Sequence, residues 1–186
     1  IKTVVFDKTG TITEGHPQVT DIVGGPDVLQ VAANLEVASE HPLAAAILDK
    51  ARSVGITPVA ATDFQAIQGK GVQATVDGQS AFIGNDKLLD HYTLTPGLTR
   101  QMDQLQNAAK TVVIVGIADQ VIGLVAIQDA PKVSSAGAMA ALKARGLRTV
   151  MLTGDNDRVA RAIADQVGID EVIANVLPGD KAAAIT

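Results

Sequence analysis

The stretch Thr3-Val4-Val5-Phe6-Asp7-Lys8-Thr9-Gly10-Thr11-Ile12-Thr13 decides the fold of this chain. Its first four residues are β-branched or aromatic, which favours a buried β-strand. Asp7 then stands at the carboxyl end of that strand, where open α/β sheets hold their ligands. Gly10 lets backbone N–H groups approach an anion closely, and Lys8 supplies a nearby cation. The stretch therefore predicts the first strand of an α/β domain with an anion site at its end.

The residue two places after Asp7 indicates which chemistry this carboxylate performs. A carboxylate in this position can attack a phosphoryl group and become an aspartyl-phosphate. Strand-end phosphatases carry a second carboxylate two residues later, which activates water and hydrolyses that intermediate. Here the position is Thr9, whose hydroxyl cannot act as a base near neutral pH. We therefore predict a nucleophile with a long-lived phosphorylated form; the alternative is an aspartate that only closes a strand and caps a turn.

The composition excludes several classes of protein. A hydrophobic content of 47% over 186 residues is ample for a core, so we do not expect disorder. Aromatic residues make up 2% and the formal net charge is −5, which argues against a nucleic-acid partner. Without cysteine the chain has no disulfides or thiolate metal sites. Asp119 and several glycines interrupt the longest apolar region, so we expect no membrane insertion by this fragment.

The spacing of apolar residues predicts the elements of the remaining chain. Helices are predicted over Val28–Ala38, Pro42–Arg52, Pro96–Ala109, Lys132–Arg145 and Asp157–Val167, and strands over Val72–Val76, Ser80–Ile83, Thr111–Ile117, Val121–Ile127, Leu147–Leu152 and Glu171–Ala174. After Asp129 helices and strands alternate, which implies a parallel, doubly wound sheet that includes the opening strand. We therefore predict an α/β domain of residues 1–16 and 121–186. An α+β domain of antiparallel sheet and helices, residues 17–120, is inserted into it.

Two further stretches carry groups that suit a phosphoryl group. Thr153-Gly154-Asp155 follows a predicted strand and precedes a helix, so a hydroxyl, a glycine and helix-start N–H groups form a phosphate-binding corner. We expect Asp155 to orient a lysine or the nucleotide; the alternative is that it or Asn156 only caps the helix. Lys181 could neutralise the charge on a phosphoryl group during transfer, although a solvated surface lysine is the alternative.

The middle region carries a candidate nucleotide site. Glu36 precedes Ser39-Glu40-His41-Pro42 at a predicted junction of two helices, where an imidazole could stack on a purine. Gly69-Lys70-Gly71 precedes a strand and Gly84-Asn85 ends its partner, and such glycines permit close backbone approach to a ligand. The alternatives are a helix cap at the histidine and ordinary turns at the glycines. No glycine-rich loop of the P-loop type occurs in the sequence.

Asp7-Lys8-Thr9-Gly10-Thr11-Ile12-Thr13 resembles the phosphorylation motif of P-type ATPases, which are membrane ion pumps with a haloacid-dehalogenase-like phosphorylation domain. Thr153-Gly154-Asp155 and Lys181 resemble two further signatures of that family. Asp129-Ala130-Pro131-Lys132 resembles its hinge segment, although an aspartate cap before a helix is an equal alternative. The Ser39–Leu43 string is similar to the nucleotide-binding domain of the heavy-metal-transporting members.

The resemblance implies ATP and Mg²⁺ as cofactors. It implies that Asp7 accepts the γ-phosphate, that Asp7 and Thr9 hold Mg²⁺ with ligands beyond the chain end, and that a specific set of residues binds ATP. That set is Glu36, Ser39, Glu40, His41, Gly69, Gly71, Gly84 and Asn85. The implied partners are the transmembrane and actuator domains of the same pump, and the implied location is the cytoplasmic face of a membrane. The implied cargo is copper, or zinc, cadmium or cobalt.

The chain also departs from the family pattern. It lacks the Gly-Asp-Gly-x-Asn-Asp segment that helps to hold Mg²⁺, so we expect weak Mg²⁺ binding and poor autophosphorylation of the fragment. Gly179 stands where an acidic residue is more usual. Two other functions stay open on the residues alone: a soluble phosphohydrolase, which Thr9 disfavours, and a nucleotide-binding module with a regulatory role only.

Overall fold

The computed structural model describes residues 1–185, which form two compact units. The α/β unit comprises Ile1–His16, Gln106–Thr111 and the described residues from Asp129 onward. The inserted unit comprises Pro17–Leu105 and Val112–Gln128. Thr186, the last residue of the predicted α/β domain, lies outside the described residues.

The described residues contain nine strands and five α-helices. The strands are β1 (Thr3–Asp7), β2 (Gln18–Gly24), β3 (Thr62–Ile67), β4 (Gly71–Val76), β5 (Gln79–Gly84), β6 (Thr111–Ile117), β7 (Gln120–Gln128), β8 (Arg148–Leu152) and β9 (Glu171–Ile173). The helices are α1 (Asp27–Glu36), α2 (Pro42–Ser53), α3 (Pro96–Asn107), α4 (Ser135–Ala144) and α5 (Asp157–Val167). Short 3-10 turns follow β5 over Asp86–Asp90 and β9 over Pro178–Asp180.

The α/β unit contains the predicted parallel sheet, with the strand order β1-β8-β9. Asp7 is the register partner of Leu152, and Leu152 is the partner of Ile173. The carboxyl ends of the three strands therefore meet at one edge of the sheet. Residues that follow these strands directly are placed at that edge by backbone pairing alone.

Helix α5 shows why the local sequence folds as it does. Its apolar residues recur at helical spacing from Val159 through Ile163 to Val167, and all three are buried against the sheet. Asn156 caps its start by accepting a hydrogen bond from the Val159 N–H at 2.9 Å. Gly168 ends it in the left-handed conformation with φ +80°. The predicted bounds of this helix are confirmed.

Helix α4 begins later than predicted. The sequence predicted a helix from Lys132, but in the structure the first helical residue is Ser135. The Lys132 N–H donates instead to the Ile12 carbonyl at 2.9 Å, and Pro131 forms a β-bridge with Thr13. This short stretch is therefore held against the loop after β1, which removes it from the helix.

The inserted unit is a six-stranded sheet in the order β2-β7-β6-β5-β4-β3, with helices on both faces. One face packs against α1 and α2, with Val28, Ile47 and Val115 in that core. The other face packs Phe82 and Ile114 against α3 and the turn after β5. The prediction of an α+β unit with an antiparallel sheet is confirmed.

The compact units differ from the predicted division of the chain. β7 was assigned to the α/β domain, which was predicted to resume at residue 121, but it lies between β2 and β6 in the sheet of the inserted unit. The unit therefore extends to Gln128. The reason is β2, which was not predicted: its register pairs Gln18 with Gln128 and Gly24 with Gly123. The sequence did not predict β3 either.

Within residues 1–185 no helix is long and apolar enough to span a bilayer.

Candidate active site

Asp7 and Lys181 meet at the carboxyl edge of the parallel sheet. Asp7 is the last residue of β1, and the Lys181 ammonium donates a hydrogen bond to its Oδ1 across 174 residues of sequence. The side chains are 42% and 34% exposed, so solvent reaches the pair. The structure thus brings together the predicted nucleophile and the predicted cation that would neutralise charge on a transferred group.

A second ion pair lies beside the first and is nearly buried. The Lys8 ammonium donates to Asp155 Oδ2 at 2.5 Å, and Lys8 is only 7% exposed. A buried ammonium is costly unless it is paired, so this contact holds Lys8 in place immediately after Asp7. Asp155 therefore orients a lysine, one of the two roles that the sequence predicted for it.

Thr153 and Gly154 form the predicted corner between β8 and α5. Thr153 is 3% exposed, and its hydroxyl accepts a hydrogen bond from the Asp155 N–H at 3.1 Å. Gly154 is exposed, and a Cβ atom there would meet only the Val176 carbonyl oxygen at 3.4 Å. The capping role falls to Asn156, so the corner keeps an open backbone at Gly154 that suits an anion.

The loop after Asp7 is held by Asp129, which sequence reasoning left out of the site. Asp129 Oδ2 accepts from the hydroxyl of Thr13 at 2.6 Å. Its Oδ1 accepts from the N–H groups of Gly15 at 2.9 Å and His16 at 3.1 Å. Asp129 therefore does not cap a helix, which was the alternative to a hinge role. It fixes the end of the loop that begins at the nucleophile.

Lys132 ties down the centre of the same loop. Its ammonium donates to the Gly10 carbonyl at 2.9 Å, and Gly10 itself has φ +75°, a conformation that favours glycine. Thr13 is completely buried and accepts a long hydrogen bond from the Gly10 N–H at 3.3 Å. In the sequence, these contacts were marked only by the charged residues Asp129 and Lys132 on either side of Ala130-Pro131. Their partners lie more than a hundred residues away in the chain, so no local pattern identified them.

The carboxylates at this edge of the sheet limit how a metal ion could bind. Among residues 1–185 no group of three or more histidine, aspartate or glutamate side chains could hold a metal ion. Asp155 pairs with the nearly buried Lys8, whereas Asp7 pairs with Lys181 and is the more exposed of the two carboxylates. Mg²⁺ commonly binds through one or two carboxylates together with substrate phosphates. Asp7, which is 42% exposed at the end of β1, is a carboxylate that could contribute to binding of this kind.

In the inserted unit, Glu36, Ser39 and His41 form one connected group between α1 and α2. Glu36 is half-buried, and burial raises its pKa above the ordinary value, while the Ser39 hydroxyl and His41 oppose that rise. The Nδ1 of His41 accepts a hydrogen bond from the Leu43 N–H at 3.2 Å and so caps α2. In the neutral ring, this contact places the proton on Nε2, which can donate to a ligand. Glu40, also predicted as a ligand, is exposed.

The predicted glycine loop and Asn85 form a second connected group. The Asn85 side chain donates to the Gly69 carbonyl at 3.0 Å and accepts from the Lys87 N–H at 3.0 Å. Its backbone N–H donates to the Lys70 carbonyl at 2.8 Å. The side chain of Asn85 thus clamps the loop before β4 to the end of β5. α1, which leads into the first group, packs against both of these strands.

Glycine is required at positions 71 and 84 because the backbones of β4 and β5 and the loop before β4 approach each other closely there. Gly71 and Gly84 are register partners, and a Cβ atom on Gly71 would lie 2.6 Å from the Gly84 Cα. A Cβ atom on Gly84 would collide with the Lys70 carbonyl and lie 2.7 Å from the Leu88 Cδ1. The absence of side chains here allows close approach of strand to strand, which is a reason for glycine that needs no ligand.

We expect Gly84→Ala to lower the free energy of unfolding by about 1–3 kcal/mol, because backbone atoms must move to admit the methyl group. Urea denaturation of the purified chain measures this directly. Gly25→Ala is a matched control, since a Cβ atom at Gly25 meets no atom within 4 Å. An equal effect of the two substitutions would contradict the proposed packing.

A separate groove of about 460 Å³ opens in the inserted unit. It is lined by Ile67, Gln73, His91, Tyr92 and Asp119. The Tyr92 ring stacks on buried Phe82, with centroids 3.8 Å apart. No residue of the predicted nucleotide set lines this groove, so the sequence-based site and the groove are distinct features.

Comparisons with known proteins show which family the chain belongs to. A model of the haloacid dehalogenase-like hydrolases matches residues 1–186. A copper-exporting P-type ATPase of Staphylococcus haemolyticus (strain JCSC1435) is 45% identical over 187 residues, which cover 100% of this chain and 24% of that protein. The chain therefore spans about a quarter of the length of this curated relative.

Two solved structures are similar over the whole chain. The first is a zinc-transporting PIB-type ATPase in the E2.Pi state, with 36% identity, a TM-score of 0.67 and coverage of 31% of that chain. The second is the catalytic domain of the CPx-ATPase CopB-B, with 28% identity, a TM-score of 0.74 and coverage of 65% of that chain. Both similarities cover the α/β unit and the inserted unit together.

Proposed function

Because the chain belongs to the haloacid dehalogenase-like hydrolase family and corresponds to the catalytic region of heavy-metal P-type ATPases, we propose that Asp7 accepts the γ-phosphate of ATP in a metal-exporting pump. The observation that carries this proposal is the pairing of Asp7 with Lys181 at the open end of β1. Thr153 and Gly154 lie at the end of the neighbouring strand β8.

The reaction needs few groups beyond these. An Asp7 carboxylate oxygen attacks the γ-phosphorus in line, the bond between that phosphorus and the bridging oxygen breaks, and ADP leaves with the electron pair. The Lys181 ammonium reduces the repulsion between the carboxylate and the incoming phosphate. The Thr153 region and the backbone at Gly154 bind the equatorial oxygens. The product is an aspartyl-phosphate on Asp7.

We propose that Mg²⁺ is held by Asp7 and Thr9 together with the phosphates of the nucleotide. When bound, the ion neutralises part of the phosphate charge. Asp7 is exposed enough to reach such an ion, and Thr9 lies in an extended, exposed part of the loop. The loop contacts of Asp129 and Lys132 keep this pair of residues in a defined arrangement.

Hydrolysis of the intermediate should be slow in this chain alone. Thr9 occupies the place of the second carboxylate of strand-end phosphatases, so no side chain two residues from Asp7 can activate water. A phosphohydrolase is therefore the weaker proposal. Steady turnover of p-nitrophenyl phosphate by the purified chain, lost in Asp7→Asn, would overturn the proposal that Asp7 is the phosphorylated residue of a pump. Acid-quenched labelling of the intact pump with γ-labelled ATP, followed by mass spectrometry, tests the main proposal.

The inserted unit is proposed to bind the adenine of ATP through Glu36 and His41. The support is chemical: the Nε2–H of His41 is left as a donor by its capping bond, and its ring is exposed for stacking. Ser39, Glu40, Gly69, Gly71, Gly84 and Asn85 are proposed as the rest of the nucleotide site. The glycine loop clamped by Asn85 provides exposed backbone at Gly69.

We expect His41→Gln and His41→Asn each to weaken ATP binding about tenfold, because a stacked base is worth about 1–3 kcal/mol. Asn keeps the helix cap, so thermal stability should be retained in that variant while the ring is lost. Titration calorimetry with ATP measures the affinity. Unchanged ATP affinity in both variants would count against the proposed adenine site and against the proposal that the chain is part of an ATP-driven pump.

Glu36 adds a pH dependence to the same binding. Burial raises its pKa above the ordinary value of a glutamate. If the ionised carboxylate accepts a hydrogen bond from the adenine amino group, ATP affinity should fall as the pH drops through that raised pKa. Glu36→Gln should remove this acidic limb of the affinity profile. Identical pH profiles of ATP affinity for the two proteins on the acidic side of neutrality would contradict the assignment.

We propose copper as the cargo, since the similar S. haemolyticus protein is named a copper exporter, with zinc as the next candidate from the similar zinc-transporting structure. Cadmium and cobalt are weaker candidates. The proposed partners are the transmembrane and actuator domains of the same pump, and the proposed location is the cytoplasmic face of a membrane. Transport assays on the intact pump with each ion test the cargo.

A further inference from the structure

The segment Gln106–Thr111 packs with the α/β unit, although it lies within the stretch that the sequence assigned to nucleotide binding. Ala109 is 3% exposed and belongs to the same core cluster as Met139, Met151 and Ile163. Gln106 is also buried, at 4% exposure. The segment is therefore an integral part of the unit that carries Asp7.

The backbone of this segment is strained at one point. Ala109 has φ +63°, in the left-handed region that residues with a side chain rarely adopt. Such a conformation persists only where the surrounding structure enforces it. Its consequence is local: the chain turns sharply two residues before Thr111.

Thr111 reaches the second ion pair of the site. Its hydroxyl donates to Asp155 Oδ1 at 3.4 Å, while Oδ2 of the same carboxylate receives the Lys8 ammonium at 2.5 Å. A carboxylate with a single partner can rotate about its terminal bond, whereas a partner on each oxygen holds its plane. Thr111 thus restrains the group that holds Lys8.

We propose that Thr111 is a positioning residue for phosphoryl transfer, acting through Asp155 on Lys8; this inference rests on the proposed function of Asp7. Lys8 follows Asp7 directly, so a shift of its ammonium is transmitted to the backbone beside the nucleophile. The geometry that phosphoryl transfer requires is sensitive to small displacements of the reacting groups. No atom of Thr111 needs to touch the nucleotide.

The first test reads the ion pair without any phosphoryl transfer. In the nucleotide-free chain, the Lys8 ammonium protons should exchange slowly with water because the group is nearly buried and paired. We expect Thr111→Val to accelerate that exchange about three- to tenfold, and Thr111→Ser, which keeps the hydroxyl, to leave it near the wild-type rate. NMR of ¹⁵N-labelled lysine measures the exchange. Equal rates in the wild type and the valine variant would overturn the proposal.

The second test measures the reaction in the intact pump. We expect Thr111→Val to slow phosphoenzyme formation at saturating ATP about three- to tenfold with an unchanged dissociation constant for ATP, and the serine variant to restore the rate. In an Asp155→Asn background the valine substitution should have no further effect, because both act on one path. Additive losses, or an equally slow serine variant, would overturn the proposal. If the wild type forms no phosphoenzyme on Asp7 while the exchange result holds, the proposed function fails and the positioning contact stands.

Discussion

Asp7→Asn is expected to abolish phosphoenzyme formation in the intact pump while ATP binding stays within about twofold of the wild type. The amide has the shape of the carboxylate but has no anionic oxygen to attack phosphorus. The adenine contacts are proposed in the inserted unit, so the nucleotide should still bind. Acid-quenched labelling with γ-labelled ATP measures the intermediate, and calorimetry measures the affinity.

Asp27→Asn is the matched control for this experiment. It makes the same chemical change at an exposed carboxylate in the first turn of α1. We expect its labelling to equal that of the wild type. Label retained in Asp7→Asn, or a phosphate located on another side chain by mass spectrometry, would show that Asp7 is not the nucleophile.

Lys181→Met is expected to have the next largest effect, a loss of about 10²–10³ in the rate of phosphoenzyme formation. The methionine keeps most of the volume but removes the cation that faces Asp7. Lys181→Arg should form the phosphoenzyme at a rate between those of the wild type and Lys181→Met, because arginine keeps the charge in a planar group of different geometry. Rapid-quench kinetics at saturating ATP give these rates.

Stability separates a catalytic role of Lys181 from a structural one. The pair is exposed to solvent on both sides, so its loss should change the free energy of unfolding by less than about 1 kcal/mol. Lys87→Met removes an exposed lysine in the inserted unit and should leave both the rate and the stability unchanged. A Lys181→Met rate within twofold of the wild type, roughly the noise of such a comparison, would remove Lys181 from the mechanism.

Much of the site was predictable because its main groups are marked by local patterns. Asp7 follows a short apolar strand, and Thr153 follows another, so parallel pairing had to bring both to one edge of a sheet. The bounds of α5 were predicted to the residue, since apolar periodicity, the Asn156 cap and Gly168 all act within a few residues of each other. The sequence predicted that Asp155 orients a lysine or the nucleotide, but it did not identify Lys8 as that lysine.

The contacts that sequence reasoning missed all join residues far apart in the chain. Asp129 meets Thr13 across 116 residues, and Thr111 meets Asp155 across 44. A hydroxyl or a carboxylate carries no periodic signal that identifies its partner, even where, as for Asp129, the residue stands in a recognisable segment. β2 was also missed, because its few apolar residues form no clear strand pattern in the sequence. Its place in the sheet depends on pairing with the distant strand β7.

The amino-acid sequence by itself determined the strand that ends in Asp7, the parallel arrangement after Asp129 and the replacement of a second carboxylate by Thr9. Each of these depends on side-chain chemistry or periodicity over a few neighbouring residues. Only the tertiary structure decided where the inserted unit ends and which side chains hold the loop beside the nucleophile. Those outcomes depend on strand register and on hydrogen bonds between distant segments, which exist only once the chain has folded.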